Sequence, residues 1–278
     1  MHVQPLDTGF FKLDGGAMFG VVPKPLWQKL NPADEQNRCT WAMRCLLIEA
    51  DNRLVLVDTG IGDKQDAKFF GHYDLHGDAT LLGSLRRAGY AETDITDVLL
   101  THLHFDHVGG AVRRDGDGLR PVFANATYWT HRSHWDWAVT PNPREKASFL
   151  SENILPLQES GQLQFMNETN PGLPGLELVY VDGHTEKMAL PKLTVNGKTL
   201  IYLADLIPSS AHVPLPYVMS YDVRPLLTMA EKETLLRQAA EEHWILLFEH
   251  DPVVEAATVE QTEKGIRIAQ KGRLTDFL

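Results

Sequence analysis

The chain contains few cysteines and no long apolar run. Among its 278 residues the only cysteines are Cys39 and Cys45, one on either side of Trp41. So few cysteines exclude a disulfide-rich scaffold, and we expect two reduced, packed thiols; a disulfide formed in an oxidising compartment is the alternative. No apolar stretch approaches the roughly 20 residues that cross a bilayer. We therefore expect no membrane span.

The beginning of the chain lacks the pattern of a secretory signal. Met1-His2-Val3-Gln4-Pro5 has no basic region followed by an apolar run. A signal peptide needs both features. We therefore predict a cytoplasmic protein, and a secreted form whose signal peptide has been removed is the alternative.

Positive charge is also scarce. The chain has 26 Lys and Arg residues against 37 Asp and Glu residues, and its formal net charge is -11. A polyanion would approach against this field, so the composition argues against a nucleic-acid partner. It favours a small-molecule substrate that is neutral or only locally charged.

A dense group of metal-binding side chains follows the apolar run Val98-Leu99-Leu100. Residues 101–110 read Thr-His-Leu-His-Phe-Asp-His-Val-Gly-Gly. His102 and His104 are two positions apart, so in an extended segment they point the same way and can hold one ion. Asp106 and His107 come where the chain begins to turn, so the same cluster can serve a second ion. Imidazole and carboxylate are ligands that suit zinc and other divalent metals.

The order His-x-His-x-Asp-His resembles the signature of the metallo-β-lactamase superfamily. The resemblance implies three further ligands on loops that follow strands, and the chain has a candidate for each in His184, Asp205 and His250. It also divides the ligands, placing His102, His104 and His184 on one metal, Asp106, His107 and His250 on the other, and Asp205 between the two.

The same resemblance implies a layered α/β fold, the αββα sandwich. We expect a single domain over residues 1–278, with residues 1–40 as an N-terminal extension packed on it and residues 127–155 as a helical insertion near the site. In the superfamily the turn Val57-Asp58-Thr59-Gly60 lies beneath the metals. Asp58 is therefore expected to support the histidine cluster by hydrogen bonds.

Hydrophobic patterns and turn residues predict the individual elements. Hairpins are predicted where Asp51-Asn52 and Asn196-Gly197 join apolar runs. The predicted strands include residues 17–22, 44–50, 53–58, 176–181, 188–195 and 200–204. The predicted helices include residues 79–88, with Asp78 as its N-cap, and 223–241.

A site of this composition predicts hydrolysis. Two divalent ions, zinc first and iron, manganese or cobalt as alternatives, lower the pKa of a bridging water toward neutrality. The resulting hydroxide attacks an ester or lactone carbonyl while a metal polarises the carbonyl oxygen. Asp106 is expected to orient the hydroxide and then protonate the leaving group. Asp106 and the bridging Asp205 are thus the predicted catalytic residues.

Residues 204–213, with Met219-Ser220-Tyr221-Asp222 and Glu231-Lys232, are similar to the YtnP-like branch, which is proposed to consist of quorum-quenching N-acyl-homoserine lactonases. This resemblance implies a lactonase and makes His212 and Tyr221 candidate substrate contacts. Better-studied lactonases carry a tyrosine shortly after the bridging aspartate, where this chain has Ile207-Pro208-Ser209. Tyr217 or Tyr221 could reach the same space.

The segment from Thr127 to Trp137 is dense in aromatic residues, and its function is open. It either packs a helix on the sheet, or covers the site with Trp135 as a third candidate substrate contact, or forms a dimer contact. Relatives often pair through aromatic surfaces, so a homodimer is expected by analogy.

Other activities share this ligand set, because a fold does not fix a substrate. A phosphotriesterase of the parathion-hydrolase kind, or another esterase, is the leading alternative. A thioesterase of the glyoxalase II type fits less well, and β-lactamase activity is least favoured. A flavodiiron-like redox protein is disfavoured, because those relatives carry acidic ligands in place of some histidines and a fused flavin domain.

Overall fold

The computed structural model describes residues 1–166, 172–173 and 175–278. The strands of this part of the chain are β1 (His2–Asp14), β2 (Arg38–Ala50), β3 (Arg53–Val57), β4 (Asp97–Leu99), β5 (Val112–Asp115), β6 (Gly118–Pro121), β7 (Thr127–His131), β8 (Leu163–Met166), β9 (Leu176–Val181), β10 (Met188–Val195), β11 (Lys198–Tyr202), β12 (Ile245–Leu247), β13 (Ala256–Thr262) and β14 (Gly265–Gly272). Its α-helices are α1 (Gly15–Phe19), α2 (Lys24–Trp27), α3 (Ala67–Tyr73), α4 (Leu81–Arg87), α5 (Phe105–Val108), α6 (Arg132–Val139), α7 (Ser151–Glu159) and α8 (Pro225–Glu241).

Two six-stranded sheets form the centre of the fold. The strand order is β1-β2-β3-β4-β7-β8 in the first sheet and β14-β13-β12-β11-β10-β9 in the second, and β5 pairs with β6 in a separate ribbon. Strands β3, β4, β7 and β8 are parallel neighbours, as are β11 and β12. The carboxyl ends of parallel strands meet at one edge of a sheet, which is where ligands gather in such folds.

Successive residues of β2 pack into two different hydrophobic layers, because side chains alternate across a strand. Leu46 and Ile48 belong to the core between the two sheets. Cys45 and Leu47 belong to a second core, which includes residues of α4, α6 and α7. Residues of α8 pack on the second sheet. The layers run helices, sheet, sheet, helix, which confirms the predicted αββα sandwich.

Both predicted hairpins are present. Ala50 pairs with Arg53 across the Asp51-Asn52 turn. Asn196 and Gly197 have φ values of 52° and 76°, and a tight hairpin turn needs positive φ at both central positions. Strands β9 and β10 have the predicted bounds.

The predicted strand over residues 17–22 is wrong. Helix α1 begins at Gly15, and the side chain of Asp14 caps it by accepting from the Ala17 nitrogen at 2.8 Å. The residues before the helix form β1, which pairs with β2 along most of its length. Residues 1–40 therefore contribute an edge strand to the first sheet instead of an extension packed on its outside.

The prediction of a helical insertion over residues 127–155 is only partly correct. Thr127–His131 is strand β7, which lies between β4 and β8 inside the first sheet, and helix α6 begins only after it. β-Branched and aromatic residues favour strands, and residues 127–131 form one by pairing with β4 and β8. Helix α4 is capped by Thr80, which accepts from the Gly83 nitrogen at 3.1 Å, and not by Asp78.

The structure also bears on two expectations from the sequence, the state of the two cysteines and the absence of a membrane span. Cys39 and Cys45 are buried and free, as predicted. No helix among the described residues is both long enough and apolar enough to cross a bilayer.

Candidate metal centre

All the predicted ligands follow strands whose carboxyl ends lie at the same edge of the sandwich. The 102–107 cluster follows β4, His184 follows β9, Asp205 follows β11 and His250 follows β12. This arrangement brings residues from four distant parts of the sequence together.

Close backbone packing fixes the loop that carries the His-x-His-x-Asp-His motif. Thr59 donates from its nitrogen (2.7 Å) and its hydroxyl (2.8 Å) to the carbonyl oxygen of His107. A methyl group on Gly109 would lie 2.1 Å from the Ile61 carbonyl oxygen, and one on Gly110 would lie 2.2 Å from that of Thr59. The two glycines after the motif are therefore required by contact with the turn after β3.

Asp58 ties this turn to the motif, where the sequence analysis placed it. Its Oδ1 accepts from the Thr101 nitrogen at 2.8 Å and its Oδ2 from the Thr101 hydroxyl at 2.7 Å. Oδ2 also lies 3.2 Å from Nδ1 of His107. One buried carboxylate thus orients the loop and one of its imidazoles.

Four side chains converge on a first point. Nδ1 of His104 lies 3.1 Å from Nε2 of His102 and 3.2 Å from Nε2 of His184. Oδ2 of Asp205 lies 3.0 Å from Nε2 of His184 and 3.6 Å from Nε2 of His102. Ligands of a tetrahedral zinc ion at ~2.0–2.1 Å are separated by about 3.3 Å. The observed spacing fits one ion.

A second group lies next to the first and shares Asp205. Nε2 of His250 lies 3.3 Å from Nε2 of His107 and 3.0 Å from Oδ1 of Asp205. Oδ2 of Asp106 lies 3.7 Å from His107 and 3.8 Å from His250, measured to Nε2 of each ring. Oδ2 of Asp205 faces the first group and also lies 3.5 Å from Nε2 of His107, while Oδ1 faces His250. Asp205 therefore contacts both groups and can bridge two ions. The preceding residue, Ala204, has a φ of 41°, a strained conformation that aims the carboxylate.

The outward-facing nitrogen of each imidazole lies close to an oxygen atom. The pairs are His102 Nδ1 with the Thr101 hydroxyl (3.1 Å), His104 Nε2 with Glu145 Oε1 (3.5 Å), His107 Nδ1 with Asp58 Oδ2 (3.2 Å), His184 Nδ1 with Asp222 Oδ1 (2.9 Å) and His250 Nδ1 with the Ala42 carbonyl oxygen (2.7 Å). A proton on the outer nitrogen leaves the inner nitrogen with its lone pair facing the centre. This is how histidines that bind metals are held.

The buried charge also calls for cations. The buried carboxylates around the centre are Asp58, Asp106, Glu145, Asp205, Asp222 and Glu249. Across residues 1–166, 172–173 and 175–278 their ion pairs involve only histidine. Within the same part of the chain, no donor forms a hydrogen bond to Oδ1 of Asp205. Buried charges need compensation, so the residues present fit two divalent ions.

Glu145, which the sequence analysis missed, is a buried neighbour of the first group. Its Oε1 lies 3.5 Å from Nε2 of His104, and the carboxylate accepts from the Thr185 hydroxyl at 2.6 Å and from the Trp137 indole at 2.7 Å. Burial raises the pKa of its carboxyl group, but the contacts with His104 and Thr185 outweigh this effect and bring the pKa to about 2. Glu145 is therefore ionised. No local pattern marks it, because its partners lie far away in the sequence.

Glu249 and Asp222 were also missed, although the sequence carried a signal for both. Glu249 precedes His250 at the end of an apolar strand, and its Oε1 lies 3.1 Å from Nδ1 of His107. Burial raises the pKa of the Glu249 carboxyl group. Asp222 stands in the Met219-Ser220-Tyr221-Asp222 segment and orients His184. A carboxylate in a largely apolar setting is a feature that sequence inspection could have selected.

An open cleft lies beside the first group. Its volume is about 340 Å³, and its lining includes Leu13, Tyr73, His104, Phe105, Asp106, Arg144, Glu145, His184 and Tyr221. A larger cavity of about 520 Å³ is lined by residues such as Thr8, Phe10 and Arg86 and contains none of the predicted ligands. Of these two cavities, only the cleft is lined by predicted ligands.

Only one of the three predicted substrate contacts lines this cleft. Tyr221 does so and is 39% exposed. His212 is fully buried; its ring nitrogens face the Ser209 hydroxyl and the Met18 carbonyl oxygen, at 2.7 and 2.8 Å. Trp135 is part of the core under the first sheet. Both are packing residues, because their positions on a loop and on α6 turn them inward.

The layers, the strand-end loops and the histidine–carboxylate centre define the class of metal-dependent hydrolases. The sequence matches the family model of the metallo-β-lactamase superfamily over residues 44–250. The chain therefore belongs to the metallo-β-lactamase superfamily.

Three similar proteins illustrate the relationship. An N-acyl homoserine lactonase from Bacillus cereus is 26% identical in an alignment of 188 residues, and the match covers 60% of this chain and 67% of the relative. The crystal structure of a probable metal-dependent hydrolase from Staphylococcus aureus has a TM-score of 0.88 at 28% identity, covering 97% of this chain and 95% of the other. The structure of AidC, described as a dizinc quorum-quenching lactonase, has a TM-score of 0.80 at 20% identity, covering 98% and 95%.

Proposed function

We propose that the protein is a dinuclear-metal hydrolase that opens lactone rings, with N-acyl-homoserine lactones as its substrates. The observation that carries this proposal is the convergence of seven ligand side chains on two adjacent points beside an open cleft. The named activity of the Bacillus cereus relative supports the choice of substrate. His102, His104 and His184 would hold one ion, Asp106, His107 and His250 the other, and Asp205 both.

Two divalent ions held by these residues, which we propose to be zinc, would supply a Lewis acid for the carbonyl oxygen and would lower the pKa of a water molecule toward neutrality. Asp106 lines the cleft at the second group, where its carboxylate can receive that proton. In the reaction the water oxygen forms a bond to the carbonyl carbon, and the ring bond from that carbon to oxygen breaks. Asp106 then passes the proton to the ring oxygen, which leaves as an alcohol.

Tyr221 is the residue that we propose contacts the substrate. Shortly after Asp205, where better-studied lactonases carry a tyrosine, this chain has Ile207-Pro208-Ser209, and Ile207 is fully buried. Tyr221 reaches the cleft from another loop. Burial raises the pKa of the Tyr221 hydroxyl, and raises that of Tyr73 to about 12. Both phenols therefore stay protonated and can donate to a substrate oxygen.

The aromatic lining of the cleft favours a second candidate function. The rings of Tyr73 and Phe105 lie 4.7 Å apart, and Tyr221 lines the same space. Such a surface also suits the aryl leaving group of a phosphotriester, and the metals would serve a phosphoryl centre equally well.

The test combines metal analysis with two substrates. Purified protein is analysed for metal content, and hydrolysis of an N-acyl-homoserine lactone and of paraoxon is measured after chelation and after metal is restored. About two ions per chain and metal-dependent lactone opening are the expected results. Paraoxon turnover without lactone opening favours the second candidate. Binding of two ions without either activity rejects both substrates.

Two further expectations from the sequence stay predictions. They are a homodimer and a cytoplasmic location, and a sedimentation measurement and cell fractionation test them. The single-domain organisation is likewise a prediction, which limited proteolysis can test.

A further inference from the structure

Two neighbouring residues of α8, Glu231 and Lys232, bind the backbone of two different loops at the metal centre. Glu231 accepts from the nitrogens of Asp182 (2.7 Å) and Gly183 (3.0 Å). These residues immediately precede His184, a proposed ligand of the first metal. A carboxylate that accepts from successive backbone N–H groups holds a loop firmly, because charge-assisted hydrogen bonds are the strong ones.

The loop before His184 also packs directly on α8. A methyl group on Gly183 would lie 2.4 Å from the nitrogen and from the hydroxyl of Thr228. Only glycine allows this approach without moving the backbone. The packing contact with Thr228 and the two hydrogen bonds that Glu231 accepts therefore hold the loop independently of each other.

Lys232 holds the second loop. Its side chain is fully buried, and Nζ donates to the carbonyl oxygens of Pro214 (2.8 Å), Leu215 (3.4 Å) and Tyr217 (2.9 Å). An ammonium group has three protons, so all of them are used on this one short segment. Burying a charged lysine costs free energy unless its donors are paired. The three partners of Lys232 are backbone carbonyl groups in the loop that continues to Tyr221 in the cleft.

The two loops meet at the metal ligand. Asp222, which ends the second loop, lies 2.9 Å from Nδ1 of His184 through its Oδ1. The nitrogen of Val223 donates to the His184 carbonyl oxygen at 3.1 Å, and that of Arg224 to the Gly183 carbonyl oxygen at 2.9 Å. The backbone and the imidazole of His184 are thus both attached to the segment that leads into α8.

We propose that Glu231 and Lys232 are positioning residues that hold the His184 loop and the 214–222 loop as one unit, so that His184 meets its metal and Tyr221 faces the cleft. This inference rests on the metal centre of the proposed function. It assigns a role to a dipeptide that touches neither metal nor substrate.

The first test measures metal binding without substrate. Glu231→Gln replaces one of the two acceptor oxygens by an NH2 group, which cannot accept a hydrogen bond, so the N–H group of Asp182 or of Gly183 loses its partner. We expect zinc affinity at one of the two positions to fall about tenfold, the lower end of the range for groups that orient ligands, with the other position unchanged. Competition with a chelator gives the affinities, and the visible spectrum of the cobalt-substituted protein reports the geometry.

The matched control is Glu233→Gln, on the same helix. Glu233 forms an exposed pair with Arg237, so this variant is expected to bind both ions as the wild type does. Wild-type affinity at both positions in Glu231→Gln overturns the proposal, as does an equal loss at both. A wild type that binds two ions but opens no lactone refutes the proposed substrate and leaves this readout intact; one that binds no ion overturns both proposals.

Gly183→Ala provides a second route to the same loop, without altering Glu231. The added methyl group must push the loop away from Thr228, so the same metal position should weaken at least as much as in Glu231→Gln. Gly71→Ala is its control, because a methyl group there meets no atom within 4 Å. If Gly183→Ala binds both ions normally, packing on α8 does not position His184.

Lys232→Met tests the other half of the unit. Methionine fills similar space but donates nothing, so we expect the backbone amides of residues 214–222 to exchange hydrogen at least tenfold faster, with weakened binding at the same metal position. Arg237→Met, an exposed change on the same helix, is the control. Unchanged exchange in 214–222, or faster exchange there with normal metal affinity, overturns the claim that the two loops act together.

Discussion

At the scale of single residues, we predict that Glu145 supports metal binding through His104. Its carboxylate faces His104 and also binds Thr185, the residue after His184. In Glu145→Gln the side chain keeps its size, but the charge that supports His104 and one of the two acceptor oxygens are lost. We expect metal affinity or turnover to fall about 10- to 100-fold, as for other groups that orient metal-binding histidines. Metal titration and steady-state kinetics check this.

Glu177→Gln is the control for this variant. Glu177 lies on the strand leading toward His184, but its side chain is 71% exposed and pairs with Lys192. Surface ion pairs of this kind contribute little to the free energy of unfolding. Metal affinity in Glu145→Gln equal to that of Glu177→Gln would contradict the role of the buried carboxylate.

A substitution at Tyr221 can test substrate contact with little effect on folding. Its ring is partly exposed in the cleft, so Tyr221→Phe removes a donor and little packing. We expect kcat/KM for the lactone to fall by about tenfold, near the upper value of a neutral hydrogen bond, with metal content unchanged. Tyr90→Phe, which removes a surface contact with Glu49, should keep full activity. Equal kinetics in the two variants would remove Tyr221 from the substrate site.

The predicted ligands came from a local motif and from a family resemblance, whereas the residues that orient them were missed. His102, His104, Asp106 and His107 lie within six positions, so their chemistry is visible without a fold. Glu145 meets His104 only because the loop before α7 returns to the cleft. His212 was misjudged because nothing local shows that its ring stacks on Phe19 at 4.5 Å.

At the level of elements, the contact between two turns sets the position of the motif. Gly110→Ala places a methyl group 2.2 Å from the Thr59 carbonyl oxygen. A backbone atom cannot move away by rotating, as a flexible side chain can, so one of the two turns must shift. We expect a loss of about 1–3 kcal/mol of unfolding free energy, the usual range for overpacking, together with weaker metal binding. Thermal unfolding and metal titration measure the two effects.

Gly118→Ala is the control for this element. Its methyl group would lie 3.6 Å from the Asp115 carbonyl oxygen, an ordinary contact. A Gly110→Ala protein as stable as this control would show that the turns can separate without cost.

Turn chemistry predicted some elements well and tertiary packing decided others. Asn196-Gly197 gave the hairpin of β10 and β11 because few residue pairs adopt positive φ at both positions. The segment Thr127–His131 was ambiguous, since aromatic residues pack equally well on a helix. Its place as a parallel strand is set by β4 and β8, which lie far from it in the sequence.

At the level of the whole molecule, the two sheets converge on a centre rich in buried carboxylates, whose charge bound metal ions would compensate. The order of the layers was predicted from the resemblance to the superfamily. The degree of burial of the predicted ligands could not be predicted, because it depends on how the two sheets pack around the ends of the strands. His102, His107 and Asp58 are at most 1% exposed.

Removal of metal should therefore lower the stability of the entire fold. Metal that binds only the folded chain stabilises it by about 2.7 kcal/mol at a concentration 100 times its dissociation constant, and a domain this large shifts by roughly 2–4 °C per kcal/mol. We expect chelation to lower Tm by about 5 °C or more and added zinc to restore it. Asp205→Asn, which weakens the bridge between the ions, should show a much smaller zinc-dependent shift. If wild type and variant melt alike with and without metal, the buried carboxylates must be neutralised by protons, and the centre is not built to hold ions.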